Sequence, residues 1–353
     1  MKKLITILLI ISLILGCSSC KSIPDKKNPV PNIGSENIAE IETNSKPSFP
    51  VTIIDSAGRT VTIEKEPQRI ISGYYIASSM LLSLGQKDKL VGIEAKADSR
   101  NIYKLSAPQI IDLPSVGTAK SFDIELSVSL KPDLVVLPMK LVDSAETLEK
   151  IGISAIVVNP ETESDMFQVL EMIGKACGTE RYVDILEFYN NLKNDILSSV
   201  ETVNPKTVYM AGNSSYLKTA GKNMFQNTFL KNSGALNVAE SIEDNYWSEI
   251  SYEQLLSFDP DTVILASDRE YEKSSFVSDE VLSKMRCIKS DDVFCLPNSL
   301  EAWDSPVPGS ILGSAYIASC LYPDLYSFEN YRIAVQDFYG TFYGLTDFND
   351  ITF

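Results

Sequence analysis

Asp123-Ile-Glu125-Leu-Ser-Val-Ser-Leu-Lys-Pro132-Asp133-Leu-Val-Val-Leu137 decides how this chain is read, because the chain states it twice. The second copy is Ser251-Tyr-Glu253-Gln-Leu-Leu-Ser-Phe-Asp-Pro260-Asp261-Thr-Val-Ile-Leu265. Each begins with an Asp or Ser suited to capping a helix, followed two residues later by a Glu. About two apolar turns follow, then Pro-Asp, then a short run rich in β-branched residues. That order predicts a cap, a short helix, a breaker and a buried strand. A unit repeated in both halves of a chain predicts two similar lobes.

The surroundings of both copies have the same grammar. In the first half, Val51–Ile54 and Thr60–Glu64 read as a hairpin, Arg69–Ser72 and Lys89–Ile93 as strands, and Ala77–Leu84 as a helix closed by Gly85. Ala145–Ile151 reads as a helix closed by Gly152, with a buried strand at Ala155–Val158. In the second half, Thr207–Ala211 and Asp292–Leu296 are strands, and Phe225–Ser233 is a helix closed by Gly234. Strands alternating with helices indicate an α/β fold with largely parallel sheets. Between the halves, Tyr182, Ile185, Tyr189, Leu192, Ile196 and Val200 recur at helical spacing. Glu180 to Val200 spans about 30 Å at ~1.5 Å per residue, and Pro205 ends it. One continuous helix makes a stiff joint and predicts little closure. The expected organisation is an N-terminal lobe over 48–178, a bridging helix over 179–204 and a C-terminal lobe over 205–353. In the last, Tyr331, Val335, Phe338 and Phe342 share one helical face.

The first residues address the compartment. Lys2-Lys3 precedes an apolar run from Leu4 to Leu15 that is too short for a comfortable span, which needs ~20 residues. It ends in Ile14-Leu15-Gly16-Cys17, which resembles a bacterial lipobox. Residues 1–16 then form a leader, Cys17 becomes the lipidated N-terminus, and the polar stretch 17–47 is a flexible linker. Cys20 has a poorer upstream context. The formal net charge of −16 disfavours nucleic acid and anionic lipid as broad partners. Cys177, Cys287, Cys295 and Cys320 show no metal-ligand spacing. Their pairing stays open, with buried free thiols the plain alternative.

Absences narrow the chemistry. The chain has no histidine, which removes Ser-His-Asp and Cys-His catalysis and the common His-based metal and haem sites. It has no glycine-rich phosphate loop, dinucleotide fingerprint or nucleophile elbow, and nothing singles out a carboxylate pair for glycoside hydrolysis. We read it as a binding protein and not an enzyme. In open α/β sheets, ligands sit beyond the carboxyl ends of the strands. The residues there are Tyr74, Tyr75, Met139, Lys140, Asn159 and Glu161 in the first lobe. In the second they are Asn213, Ser214, Tyr216, Arg269, Trp303 and Asp304. Aromatics, hydrogen-bonding groups and two cations together suit a bulky, partly aromatic, anionic ligand.

These residues also carry a resemblance. Asp55, Gly58 and Arg59 in the hairpin, Arg69-Ile-Ile, Leu84-Gly85, Asp88-Lys-Leu-Val-Gly92, Val116-Gly117, both Glu–Pro-Asp phrases, Leu148-x-x-x-Gly152-Ile153 and the Trp303–Pro306 loop follow one another in order. Over about Val51 to Tyr343 the chain resembles the class III solute-binding proteins of ABC importers, which serve ferric siderophores, cobalamin, haem and, in some members, oxoanions. The resemblance implies two Rossmann-like lobes joined by one long interdomain helix, ligand in the cleft and small closure. It implies an extracytoplasmic, membrane-anchored monomer delivering cargo to a permease dimer with its ATPase. It gives Glu125 and Glu253 the role of docking to arginines of that permease, although the helix dipole alone favours a first-turn carboxylate by ~0.3–1 kcal/mol. No resident cofactor or metal is expected. The favoured cargo is a metal chelate, a ferric siderophore or other iron complex, with a corrinoid or molybdate/tungstate as alternatives. A surface lipoprotein for adhesion or sensing is the competing class.

Overall fold

The computed structural model describes residues 48–349 and residue 351. The leader, Cys17 and the 17–47 linker lie outside the described residues. The first half runs β1 (Val51–Ile54), β2 (Thr60–Ile63), β3 (Ile70–Ser72), α1 (Tyr75–Ser83), β4 (Leu90–Gly92), α2 (Asn101–Ser106), β5 (Gly117–Thr118), β6 (Ser121–Phe122), α3 (Ile124–Ser129), β7 (Leu134–Pro138), α4 (Val142–Lys150) and β8 (Ser154–Val158). Two longer helices follow, α5 (Glu163–Cys177) and α6 (Arg181–Val200). The second half runs β9 (Thr207–Ala211), β10 (Lys218–Thr219), α7 (Phe225–Asn232), β11 (Leu236–Asn237), β12 (Ser248–Glu249), α8 (Tyr252–Phe258), β13 (Thr262–Leu265), α9 (Lys273–Val277), α10 (Arg286–Lys289), β14 (Val293–Cys295), α11 (Ser310–Leu321) and α12 (Phe328–Tyr343).

Each half builds its own sheet. In the first, β4-β3-β7-β8 are all parallel. In the second, β9, β13 and β14 run parallel, β11 joins β9 in parallel, and β10 and β12 pair antiparallel at the far side. All five residues of β7 and all four of β13 are buried, as expected of central strands covered on both faces. This is the expected fold class, two α/β lobes with largely parallel sheets.

The repeated phrase folds the same way in both lobes. The Asp123 carboxylate accepts a hydrogen bond from the Leu126 amide at 2.9 Å and caps α3. Ser251 and Gln254 form a reciprocal capping box on α8. A residue ahead of proline is disfavoured in right-handed helical backbone. Lys131 and Asp259, ahead of the two prolines, instead leave the helix through left-handed backbone, with φ of 48° and 33°. The Asp of each Pro-Asp then reaches the start of the neighbouring strand. Asp133 accepts from the Gln68 and Arg69 amides at 2.9 and 3.2 Å, just before β3. Asp261 accepts from the Thr207 amide at 2.8 Å, at the first residue of β9. The Pro-Asp pair thus fixes where two parallel strands begin, a role that reading the chain linearly does not show.

The Asp-x-x-Gly-Arg hairpin also has a structural use. Asp55 accepts from the Ala57, Arg59 and Val157 amides, and Arg59 reaches across to Glu149 and the Ala155 carbonyl. The β1–β2 ribbon is thereby fastened to the edge of the first sheet.

The bridging helix is observed as α6, with Ile185, Tyr189, Leu192, Ile196 and Val200 buried. It is not the only join between the lobes. One continuous apolar cluster runs from α1 and the first sheet through α5 and α6 to α11 and α12. Tyr331, Val335, Phe338 and Phe342 lie in it as the spacing predicts. Glu163 at the start of α5 accepts from Tyr189 (2.9 Å) and Lys193 (2.9 Å) on α6 and from Asn232 (2.6 Å) on α7. A second polar tie runs from Ser79 on α1 to Glu301, whose carboxylate also accepts from Tyr339 at 2.8 Å. Tyr343 at the end of α12 lies 2.9 Å from the Ser79 hydroxyl. Cys177 and Cys287 are buried free thiols, and Cys295 and Cys320 are half-buried and unpaired. Burial pushes the Cys177 thiol up to about 12 and that of Cys287 up to about 11.

Candidate binding cleft between the lobes

Parallel strands bring their carboxyl ends to one edge of each sheet, and the two edges face each other. The order of strands in the sheet, not in the chain, sets the map of the cleft. In the first lobe the ends of β7 and β8 lie together on one side, and those of β3 and β4 on the other.

On the β7/β8 side is a chamber of about 610 Å³. Met139, Lys140, Asn159 and Glu161 form its first-lobe wall. Across from them stand Met224, Phe225 and Gln226 at the start of α7, and Asn245, Tyr246 and Trp247 ahead of β12. Two thioethers and three aromatic rings give this chamber an apolar, polarisable lining. Lys140 and Glu161 are exposed and put one charge of each sign in its wall.

On the β3/β4 side is a smaller, more polar chamber of about 300 Å³. Tyr75, Ser79, Arg100 and Tyr103 line it from the first lobe, and Asp268, Asn298 and Glu301 from the second. A side pocket of about 230 Å³ adjoins it, bounded by Tyr74, Glu94, Lys96 and Arg100. The Tyr75 hydroxyl donates to the Ser305 hydroxyl at 2.9 Å, bridging the lobes. The Tyr74 and Tyr75 rings meet edge to face with centroids 5.4 Å apart.

Burial dominates the electrostatics of the small chamber and its side pocket. Burial pushes the Glu94 carboxyl above its ordinary value, against hydrogen bonds from Ser78 and Tyr103 and the nearby Arg100 charge. Burial does the same to Glu301, against hydrogen bonds from Ser79, Tyr339 and Tyr343. Burial also raises the hydroxyls of Tyr74 and Tyr75. Among the described residues, no cluster of three or more Cys, Asp or Glu is placed to hold a metal ion.

The structure places the residues singled out in the sequence as follows. Met139, Lys140, Asn159 and Glu161 meet in the large chamber, and Tyr74 and Tyr75 at the small one. Trp303 is only 2% exposed, and its indole N–H donates to Tyr339 at 2.8 Å. Asp304 is buried beside it and accepts from the Ser267 amide at 3.2 Å. Both hold the loop that carries Ser305 and line neither chamber. Asn213, Ser214 and Tyr216 also line neither one. Trp247 lies against Gly212 at the end of β9, where an added Cβ would come within 3.0 Å of its ring. Tyr216 turns to Asp279 instead, donating at 2.8 Å. Arg269 bends back to the Ala266 carbonyl at 3.3 Å.

Linear reading misses most of the lining, Trp247, Met224 and Arg100 among it. Trp247, one of two tryptophans, stands in a polar Asn-Tyr-Trp run, and that was the available signal. Met224 and Arg100 carry no such mark, because they precede short helices and do not follow strands. Glu125 and Glu253 are exposed in the first turns of α3 and α8, one on each lobe.

Two α/β lobes joined through α6 and a shared apolar cluster, with cavities between facing strand ends, define a class of protein that holds a small solute between lobes. The family model described as "Periplasmic binding protein" matches residues 70–300, and the chain belongs to that family, the solute-binding components of ABC importers. It is 26% identical over 289 residues to the uncharacterized ABC transporter substrate-binding lipoprotein YvrC of Bacillus subtilis, covering 79% of this chain and 87% of that one. It is 25% identical over 324 residues to the molybdate-binding protein MolA of Haemophilus influenzae, covering 82% and 90%. A periplasmic solute binding protein from Veillonella parvula superposes with a TM-score of 0.73 at 23% identity, covering 84% and 94%. The family places the chain outside the cytoplasm, as the substrate-binding protein of an importer.

Proposed function

We propose that the protein captures a metal chelate, an iron complex of the ferric siderophore kind, in the large chamber and presents it to the permease. The observation that carries this reading is the size and lining of that chamber. A volume of about 610 Å³ is many times the ~30 Å³ share of one water and falls in the ~300–1,000 Å³ range of organic ligand sites. Met139, Met224, Phe225 and Trp247 offer apolar surface to a chelator's body, and Lys140 offers a cation to its negative charge. The likeness to a molybdate-binding relative favours a second reading, in which the cargo is a bare oxoanion.

In the same proposal, lipid on Cys17 anchors the chain and the 17–47 linker tethers its body, in keeping with the lipoprotein among its relatives. Glu125 and Glu253 grip the permease, one on each lobe. Native mass spectrometry of the purified protein with a panel of ferric siderophores, cobalamin, molybdate and tungstate tests the cargo. A mass shift with an iron complex is expected. Tight binding of molybdate or cobalamin without any shift for the iron complexes overturns it.

A further inference from the structure

Arg100 is used differently from the other arginines of the described residues. Arg59, Arg69, Arg181, Arg269, Arg286 and Arg332 each donate at least one hydrogen bond to the protein. The guanidinium of Arg100 donates no hydrogen bond among the described residues. Its Nε lies 3.6 Å from the buried Glu94 carboxylate, and its guanidinium stacks on the Tyr75 ring at 4.2 Å. The two contacts fix the plane of the guanidinium and leave its terminal nitrogens for the chamber.

The acids of this chamber and its side pocket fall into two kinds. Glu94 accepts from Ser78 and Tyr103, and Glu301 from Ser79, Tyr339 and Tyr343, so protein hydroxyls already occupy their oxygens. Asp268, on the opposite lobe, is exposed and has no hydrogen bond or ion pair among the described residues. Arg100 and Asp268 line the same cavity yet are not paired with each other. What the chamber offers a ligand is therefore a positive fork on one wall and a free carboxylate on the other. A bare anion would meet Arg100 with Asp268 facing it, whereas a molecule carrying both charges satisfies both walls.

We propose that the small chamber is a subsite for a small amphoteric organic molecule, its carboxylate on Arg100 and its ammonium on Asp268. Such a ligand joins the lobes through opposite charges. This rests on the reading of the cleft as the cargo site, but not on the identity of the large chamber's occupant.

Isothermal titration of the purified full chain with L-alanine, acetate and methylammonium tests it. L-alanine is expected to bind at least tenfold more tightly than either one-charge probe. Arg100→Ala should abolish L-alanine binding, Arg100→Lys should retain part of it, and Asp268→Asn should erase the preference for L-alanine over acetate. Circular dichroism identical to the wild type keeps each variant interpretable. Three results overturn the proposal: no binding of L-alanine, acetate binding as tightly as L-alanine, or Arg100→Ala binding like the wild type. If iron complexes bind the protein and L-alanine does not, only this inference falls. If L-alanine binds through Arg100 and no iron complex binds, the cargo assignment falls and the subsite stands.

Discussion

Replacing Asp261 by alanine removes the group that fixes where β9 begins. Its Oδ2 accepts from the Thr207 amide at 2.8 Å and from the Thr207 hydroxyl at 2.7 Å, and its Oδ1 from Arg286 at 2.8 Å. Alanine leaves the Thr207 amide without its acceptor, at a cost of about 1–3 kcal/mol. Losing the half-exposed ion pair with Arg286 adds no more than ~1 kcal/mol. The expected loss is about 1–4 kcal/mol. Asp133→Ala is the control, because its amide contacts are longer and its ion pair with exposed Lys65 is 3.7 Å apart. It should cost about 1–2 kcal/mol. Urea unfolding followed by far-UV circular dichroism and by tryptophan fluorescence reads both variants. The pH response has a definite sign. Burial raises the Asp261 carboxyl, but hydrogen bonds from Thr207 and the Arg286 charge outweigh it and leave the group below its ordinary value. Its contribution is present above the unfolded value of ~3.9 and disappears as pH falls through the folded one. The Asp261→Ala deficit should shrink in that acid range. A deficit under ~0.5 kcal/mol at neutral pH, or one smaller than that of Asp133→Ala, refutes the strand-start role.

Four further outcomes are expected. Burial holds the Glu301 carboxyl above its ordinary value, so its contribution is complete below the unfolded value of ~4.3 and falls as pH rises through the folded one. Glu301→Gln should flatten that decline in unfolding curves taken across pH, and superimposable curves would contradict the assignment. Gly117 has φ of +116°, and a Cβ there would sit 2.1 Å from the Ser121 carbonyl oxygen, so Gly117→Ala should cost ~1–3 kcal/mol or more in thermal unfolding. Trp247 lines the large chamber and Trp303 is buried, so Trp247→Phe should abolish a ligand-induced fluorescence change that Trp303→Phe retains. Finally, Glu125→Ala with Glu253→Ala should depress uptake of labelled cargo and leave binding in solution unchanged; normal uptake by the double variant excludes docking through these residues.

Much of the fold was legible because it rests on local physics. Caps, glycine stops and β-branched runs located β7, β13, α6 and the repeated helices to within a few residues. The cleft was legible only in part, since its rule, to look past the ends of strands, is linear while the cleft is built by sheet order. The rule found Met139, Lys140, Asn159 and Glu161 because β7 and β8 are neighbours in the sheet as well as in the chain. It led to Asn213 and Tyr216 because nothing local shows that Trp247, some thirty residues on, lies across the end of β9. Trp303 looked like a ligand platform because an aromatic in a loop is ambiguous until its burial is known. The role of Arg100 needed the distant Tyr75 and Glu94 beside it.

The tie between Ser79 and Tyr343 has a consequence for how the molecule comes into being. The first helix of the body packs with one of the last in a single apolar cluster, tied by the Ser79–Tyr343 contact. A nascent or translocating chain can form its first sheet early, but α1 keeps an uncovered flank until α12 arrives. Docking of α12 therefore completes the burial of α1. A variant lacking α12 would leave an apolar flank of α1 uncovered, where proteases and chaperones could reach it.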